Sequence, residues 1–258
     1  MLALLASGVL TTEIYAQDAT DKRPLTISDY QLWRTISGSR ISADGRWAAW
    51  TYTRERSDDV VHIKSLNSTS EHVLSPATGV ELSEDGQWAA YFVDLPFAES
   101  EKLRRDGEDV LREAELINLE SGEKLKWGDV TSFEFSSGSS HFFIKKRQVD
   151  EDSDHDGTDL ILRNLEEGYE ELIGSVDEAE FNKVGTLFAY SVDAENKDGN
   201  GLYYVNLETG SRRVLDNAKQ RYTRLTWSED GLGIAVLRGE TPEAVSYTHL
   251  TLPTILLV

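Results

Sequence analysis

The sequence reads ISADGRWAAWTY at residues 41–52 and LSEDGQWAAYFV at residues 82–93. In both segments a polar tight turn containing Gly leads into a strand in which small and large apolar residues alternate. Gly accepts a positive φ at little cost, so it suits such a turn. Each segment therefore predicts a turn followed by a half-buried β-strand.

The same phrase returns three more times along the chain. These copies start at Phe135, Phe181 and Trp227, and the five starts are 41, 53, 46 and 46 residues apart. A strand, a polar turn and a short returning strand follow each of the first four copies. Four strands in a repeat of roughly 40–50 residues are typical of a β-propeller blade. We predict an all-β fold, a partial β-propeller of about four to five four-stranded antiparallel blades that is not closed.

Small and aromatic residues recur at fixed places in the repeat. Ala49, Ala90 and Ala189 occupy one such place, where a small side chain suits close packing of one blade on the next. Trp47, Trp88 and Trp227 are predicted to be core residues and not ligand contacts. The segment at residues 97–115 is rich in helix formers and predicts a short helix or an extended hairpin on one propeller face.

Composition and charge exclude several classes of function. Lys and Arg number 26 and Asp and Glu number 46, which gives a formal charge of −20. A protein that binds a phosphate backbone needs a cationic face, so we predict no nucleic-acid partner. The chain has no Cys, which excludes disulfides, thiolate metal sites and cysteine nucleophiles. No Gly-x-Ser-x-Gly elbow occurs, so we predict that this chain alone is not an enzyme.

The two ends of the chain differ from the repeats. Residues 1–16 contain a short apolar run and predict the remnant of a secretory signal peptide, hence a periplasmic or secreted protein with no membrane span. Residues 17–35 form a predicted N-terminal leading segment and residues 36–244 the partial propeller. Residues 245–258 carry no charged residue and resemble a translated sequencing adapter, so we predict an artefactual tail on a truncated gene.

The acidic loop DEDSDHDGTD, which starts at Asp150, carries the candidate metal ligands. Asp152, Asp154 and Asp156 alternate and a Gly follows them, so three carboxylates could converge on a hard cation such as calcium. The twelfth position counted from Asp152 is Arg163, where an EF-hand has a bidentate Glu. A solvated acidic turn is the alternative. We predict no cofactor apart from this candidate calcium ion.

Histidine and serine residues give no catalytic pattern. The four histidines before the tail stand singly and are predicted to lie at the surface or at strand edges: His62, His72, His141 and His155. No arrangement of Ser, His and Asp at the spacing of a known nucleophile motif occurs. We therefore predict no catalytic residue in this chain.

Residues 22–50, KRPLTISDYQLWRTISGSRISADGRWAAW, resemble the start of secreted bacterial serine peptidases of the prolyl oligopeptidase family. Asp29 and Tyr30, Trp33 and Arg34, and the turn at residues 42–45 carry the match. The later blade phrases are similar to those of this family and also to those of other propellers, including TolB-like ones.

The resemblance covers about residues 25–239. It implies a parent protein in which this propeller gates the access of peptide substrates to a C-terminal α/β-hydrolase domain with a serine nucleophile. None of that domain's residues is present in this chain. Two alternatives stay open: a non-enzymatic periplasmic propeller that acts as a protein-interaction scaffold, and a calcium-stabilised propeller.

Overall fold

The computed structural model describes residues 24–148, 153–239 and Thr254–Leu257. A 3-10 helix at Ile27–Leu32 leads into two four-stranded antiparallel sheets with their strands in chain order. The first sheet comprises β1 (Thr35–Ile41), β2 (Trp47–Thr53), β3 (Val60–Ser65) and β4 (Glu71–Leu74), and the second comprises β5 (Ala77–Leu82), β6 (Trp88–Val93), β7 (Glu113–Asn118) and β8 (Lys124–Trp127).

The third and fourth blades share one long strand, so that seven strands pair in a row. These strands are β9 (Val130–Phe135), β10 (His141–Lys146), β11 (Thr158–Asn164), β12 (Glu170–Phe181), β13 (Leu187–Val192), β14 (Gly201–Asn206) and β15 (Arg212–Asn217). The first part of β12 pairs with β11 and its last part pairs with β13. Between the two parts Ser175 has a φ of 56°, which turns the strand from one blade into the next.

A fifth sheet contains β16 (Arg221–Trp227), β17 (Gly233–Gly239) and β18 (Thr254–Leu257). Within the described residues, no strand pairing joins this sheet to the first one. The structure thus confirms the predicted all-β partial propeller, with four four-stranded blades and part of a fifth. The predicted tail includes β18, whereas residues 240–253 and the predicted signal-peptide remnant lie outside the described residues.

A side-chain-capped turn joins the first two strands of each of several blades. In the second blade the Ser83 hydroxyl accepts a hydrogen bond from the Trp88 N–H at 2.9 Å and donates one to the Asp85 carboxylate at 2.6 Å. Ser42 and Ser228 make the corresponding bonds in the first and fifth blades. The repeated S-x-D-G phrase therefore encodes one turn with satisfied polar groups.

Apolar side chains fill the space between neighbouring blades. Ala49, Ala90 and Ala189 are at most 1% exposed, which confirms the prediction of small residues at close contacts. Trp47 and Trp227 are buried in two of these clusters, as predicted, whereas Trp88 is only partly buried against a third. Full burial of a large apolar side chain stabilises a fold by about 1.5–3 kcal/mol, so these contacts hold the blades side by side.

The inserted segment in the second blade forms a helix, one of the two predicted alternatives. This helix, α1, spans Phe97–Asp106 and ends at Gly107, whose φ is 74°. The Asp58 carboxylate, in the loop between β2 and β3, accepts a hydrogen bond from the Phe97 N–H at 2.7 Å. This bond satisfies one of the free N–H groups at the helix start and ties α1 to the first blade. Nowhere in the described chain is a helix long and apolar enough to cross a membrane.

Strand connections define two faces of the propeller. Because neighbouring strands run antiparallel, the connections between the first and second strands of all blades lie at one end of the sheets. We name this end the turn face, formed by residues 42–46, 83–87, 136–140, 182–186 and 228–232. The connections between the second and third strands lie at the other end. We name that end the loop face, formed by residues 54–59, 94–112, 153–157 and 193–200.

Candidate functional site

We call the first strand of each blade its inner strand. A row of carboxylates lies on the inner strands of three successive blades. Glu81 in β5, Glu134 in β9 and Glu180 in β12 each stand two residues before the turn that ends the inner strand. Their neighbours along the strand pack between the blades, so the carboxylates point to the other side. The charges of Glu180 and Glu81 both act on Glu134, so each of the two outer carboxylates lies within electrostatic range of the central one.

Burial and neighbouring negative charges raise the pKa values of the carboxylates in this row. Burial first, and then the charges of Glu180 and Glu81, raise the pKa of Glu134 to about 7. Burial also raises the pKa of Glu81 and of Glu180, although Arg40, whose guanidinium is 3.8 Å from the Glu81 carboxylate, opposes the shift at Glu81. The row can therefore hold a proton near neutral pH, or attract a cationic group when it is ionised.

The structure describes two of the three predicted calcium ligands. Asp152 lies outside the described residues, and Asp154 is exposed. Asp156 forms an ion pair with Arg221, and its backbone N–H donates to the Asp193 carboxylate at 3.0 Å. Residues 24–148 and 153–239 contain no group of three His, Asp or Glu side chains that could hold a metal ion. Because Asp152 is not described, the calcium site stays a prediction.

Arg221 instead collects the acidic side chains of this region. Its guanidinium lies 2.9 Å from the Asp177 carboxylate and 3.9 Å from that of Asp193, and both aspartates are buried. Asn200 supports the cluster by donating a hydrogen bond to Asp193 at 2.9 Å. Sequence reasoning missed these residues, because nothing in their spacing shows that they meet.

A cavity of about 460 Å³ opens on the loop face between the first two blades. The loop between β2 and β3 forms one side, and α1 and the segment that follows it form the other. Its charged lining residues are Arg54, Arg104, Arg112, Asp58, Asp59 and Asp94. Sequence reasoning identified the insertion that carries α1 but not this cavity. The available sequence signal for the cavity was that the insertion contains arginines and lies apart from the turn motifs.

The position of His141 differs from the sequence expectation of a surface or strand-edge histidine. His141 is 4% exposed, and burial lowers its pKa. It occupies the place in the repeat that Trp47 and Trp88 hold in the first two blades, and this alignment could have predicted its burial. Its Nδ1 lies 3.0 Å from the Ser140 hydroxyl, but no described carboxylate contacts the ring. The pair therefore lacks the third group that orients a catalytic histidine.

Comparison with known proteins gives similarity at the level of structure. No family profile matches the sequence, and neither does any curated protein. The fold is similar to the β-propeller domain of the Trilobed protease from Pyrococcus furiosus, which has an open velcro topology. The TM-score is 0.50 at 15% identity, and the match covers 81% of this chain and 64% of that chain.

Two further structures give lower scores. A prolyl endopeptidase has a TM-score of 0.49 at 13% identity over 80% of this chain and 32% of its own, and TolB from Acinetobacter baumannii has 0.40 at 11% identity over 78% and 48%. This chain thus spans less than two thirds of the solved chains that it matches. At these identities the similarity shows the propeller fold and nothing finer.

Proposed function

We propose that this chain is the propeller portion of a peptide-processing protein and that it controls the passage of peptides to a hydrolytic domain outside the chain. The observation that carries the proposal is the match in fold to the propeller domain of a protease. The resemblance of residues 22–50 to the start of prolyl oligopeptidase-family peptidases supports it. In this proposal the chain selects peptides, and hydrolysis belongs to residues elsewhere in the parent protein.

The carboxylate row gives the passage a preference for charge. A peptide that moves along the inner strands passes Glu81, Glu134 and Glu180. Ionised carboxylates of one sign in a partly buried channel repel anionic peptides and attract cationic ones. The propeller is therefore proposed to admit neutral and basic peptides in preference to acidic ones, more strongly above pH 7, where Glu134 is ionised.

Export of the protein and a structural calcium ion are two further parts of the same proposal. The protein is proposed to be exported, because the apolar run in residues 1–16 is typical of a signal peptide. Calcium at Asp152, Asp154 and Asp156 is proposed only as a structural ion for the acidic loop. A calorimetric titration of the purified chain with calcium tests the second point, since a metal site gives a saturable heat that Asp154→Ala removes.

The decisive experiment re-sequences the source gene across the codons for residues 243–258, recovers the reading frame that continues from there and expresses the whole protein. We expect it to cleave a chromogenic prolyl peptide and to be blocked by a serine-directed reagent, whereas the 258-residue chain alone does neither. Hydrolysis by the chain alone, blocked by the same reagent, would contradict the proposal. A downstream frame with only further blades and a stop codon would favour the interaction scaffold.

Size selection tests the control of passage. The propeller portion is deleted from the whole protein, and cleavage of a short peptide is compared with cleavage of a long unfolded polypeptide. We expect the deletion to raise the rate for the long substrate relative to the short one, because the barrier to large molecules is removed. An unchanged ratio would contradict a role in controlling access.

A further inference from the structure

We propose that the cavity between the first two blades binds a carboxylate group of a peptide, received by Arg54 and Arg112. The carboxylate is that of a peptide C-terminus or of an acidic side chain. The proposal rests on the proposed function in one respect only, namely that the molecule carrying the carboxylate is a peptide. The site lies on the loop face, apart from the carboxylate row on the inner strands, and nothing in that row contributes to it.

Arg54 presents an unsatisfied donor at this cavity. Its Nε is buried and has no hydrogen-bond partner among the described residues. The backbone of the same residue is held in place, because its N–H donates to the Asp59 carboxylate at 3.1 Å. A buried donor without an acceptor is costly to a folded protein, and a shift of the Arg54 side chain onto an anionic ligand in the cavity would remove that cost.

Arg112 supplies a second guanidinium whose orientation is set by stacking. Its Cζ lies 4.0 Å from the centroid of the Phe92 ring. Stacking fixes the guanidinium plane and leaves its N–H edge free to donate. No described carboxylate forms an ion pair with Arg112. Planar guanidinium groups bind carboxylates with two parallel hydrogen bonds, so this edge suits a carboxylate better than a point charge.

The carboxylates of the cavity already accept hydrogen bonds from the protein. Asp58 accepts the N–H of Phe97, and Asp94 accepts the hydroxyl of Thr78 at 2.7 Å. Asp59 accepts the Arg54 N–H, and burial together with the charges of Asp94 and Asp58 raises its pKa. These acids hold the loops that frame the cavity, whereas the guanidinium groups of Arg54 and Arg112 remain available to a ligand.

The cavity is also favourable in charge. Three arginines and three aspartates line it, so its formal charge is zero in a chain whose net charge is −20. Its volume of about 460 Å³ leaves room for a short peptide segment beside the carboxylate. An anion therefore meets less repulsion here than the charge of the whole chain would suggest.

Isothermal titration calorimetry of the 258-residue chain tests the proposal with defined probes. The probes are acetyl-Ala-Ala with a free carboxylate, acetyl-Ala-Ala amide, acetyl-Glu amide and inorganic phosphate. We expect saturable binding of at least one carboxylate probe and at least about tenfold weaker binding of acetyl-Ala-Ala amide, which lacks the charge. The acetyl-Ala-Ala acid and acetyl-Glu amide results distinguish a C-terminus from a side chain. No saturation by either carboxylate probe, binding of acetyl-Ala-Ala amide as tight as that of the tighter carboxylate probe, or tighter binding of phosphate would overturn the proposal.

Variants locate the site. Arg54→Gln and Arg112→Gln are each expected to weaken carboxylate binding by about tenfold or more, because each removes a charged donor. Arg56→Gln is the matched control, since Arg56 is exposed in the same loop and does not line the cavity. Its expected effect is less than about threefold, from the loss of one distant charge. An equal loss in Arg56→Gln and Arg54→Gln would overturn the site.

Folding and function are separated by two further measurements. Arg54→Lys keeps the charge but not the planar group, so we expect it to bind more weakly than the parent chain and more tightly than Arg54→Gln. If Arg54→Gln fails to fold by circular dichroism, Arg112→Gln, which changes an exposed residue, decides the question. Carboxylate binding by a protein without peptidase activity would leave this site standing and would contradict only the proposed function.

Discussion

The turn face and the loop face of this propeller use polar residues in different ways. On the turn face, serine hydroxyls satisfy the backbone and the aspartates, and the bond from Ser42 lowers the pKa of Asp44 to about 2. Of the five buried side-chain polar atoms without a partner in the described residues, three belong to Arg54, His155 and Thr158 on or beside the loop face. The turn face repeats one solution, whereas the loop face varies.

The difference distinguishes polar groups that stabilise the fold from polar groups that remain available to a ligand. A repeated turn with all its hydrogen bonds made stabilises in the same way each blade that carries it, and it leaves few groups for a ligand. A loop that departs from the repeat and leaves donors unsatisfied carries a cost that binding can offset. The following variants test this contrast, from the largest expected effect to the smallest.

Replacing Arg221, the cation of the acidic cluster beside the loop face, is expected to have the largest effect on stability. Arg221→Gln removes the guanidinium that pairs with the buried carboxylates of Asp177 and Asp193 and leaves Lys145 as the cation that acts on Asp177, so we expect the free energy of unfolding at pH 8 to fall by about 3–5 kcal/mol. The control is Lys183→Gln on the turn face, which breaks an exposed 2.7 Å pair with Glu229 and should cost less than about 1 kcal/mol.

Urea unfolding of both variants at pH 8 and pH 5 measures this contrast. Burial raises the pKa of Asp177, and loss of the arginine raises it further, so the aspartate can take up a proton at the lower pH. The loss in Arg221→Gln should therefore be smaller at pH 5. Equal losses for the arginine and lysine variants would show that the two faces do not differ in this respect.

The contact between blades on the turn face is tested at a glycine. A Cβ added at Gly185 would lie 1.9 Å from the Ser137 carbonyl oxygen of the preceding blade, and its φ is +79°. Gly185→Ala is expected to destabilise the protein by about 2–4 kcal/mol through backbone strain and overpacking. Gly45 has a φ of +70° but open space around it, so Gly45→Ala should cost only about 1–2 kcal/mol. Equal urea midpoints for the two variants would exclude a tight contact at Ser137.

A pair of hydroxyl deletions compares the two faces directly. Ser83→Ala removes an acceptor for the Trp88 N–H on the turn face, and we expect a loss of about 1–2 kcal/mol. Thr158→Val removes a buried hydroxyl that has no described partner, so the free energy of unfolding should change by less than about 0.5 kcal/mol. Thermal or urea unfolding measures both. A larger loss in Thr158→Val would mean that a bound water or ion satisfies that hydroxyl.

The same contrast explains what the sequence could predict. The turn at Ser83 needs only residues that are close in the chain, so its motif is visible in a single sequence. The helix after Pro96 was predicted as one of two alternatives for the same reason. Arg221 lies in β16, Asp177 in the shared strand β12 and Asp156 in the loop before β11. Only the packing of blades brings these three residues together. Contacts between separate loops have no local pattern, which is why both the arginine cluster and the cavity at Arg54 were missed.

The last comparison concerns the carboxylate row, which belongs to neither face and whose expected effect depends on pH. Glu134 has its ordinary pKa of 4.5 in the unfolded chain and one of about 7 in the folded protein. The folded state therefore binds the proton more tightly, so the contribution of Glu134 to stability is fully present below pH 4.5 and is lost as the pH rises through about 7. Glu134→Gln removes this titration. We expect it to raise the free energy of unfolding by about 1–2 kcal/mol at pH 8, a value reduced for partial solvent exposure, and by much less at pH 5.

The control for this experiment is Glu195→Gln, which removes the same charge from an exposed position on the loop face. Urea unfolding at the two pH values should show a pH-dependent gain for Glu134→Gln and none for Glu195→Gln. Parallel behaviour of the two variants would mean that net charge, and not the row on the inner strands, governs the response. A gain confined to Glu134→Gln would show that burial of this carboxylate beside the charges of Glu180 and Glu81 lowers stability at neutral pH, as expected if the row keeps its charge for the selection of peptides at the expense of stability.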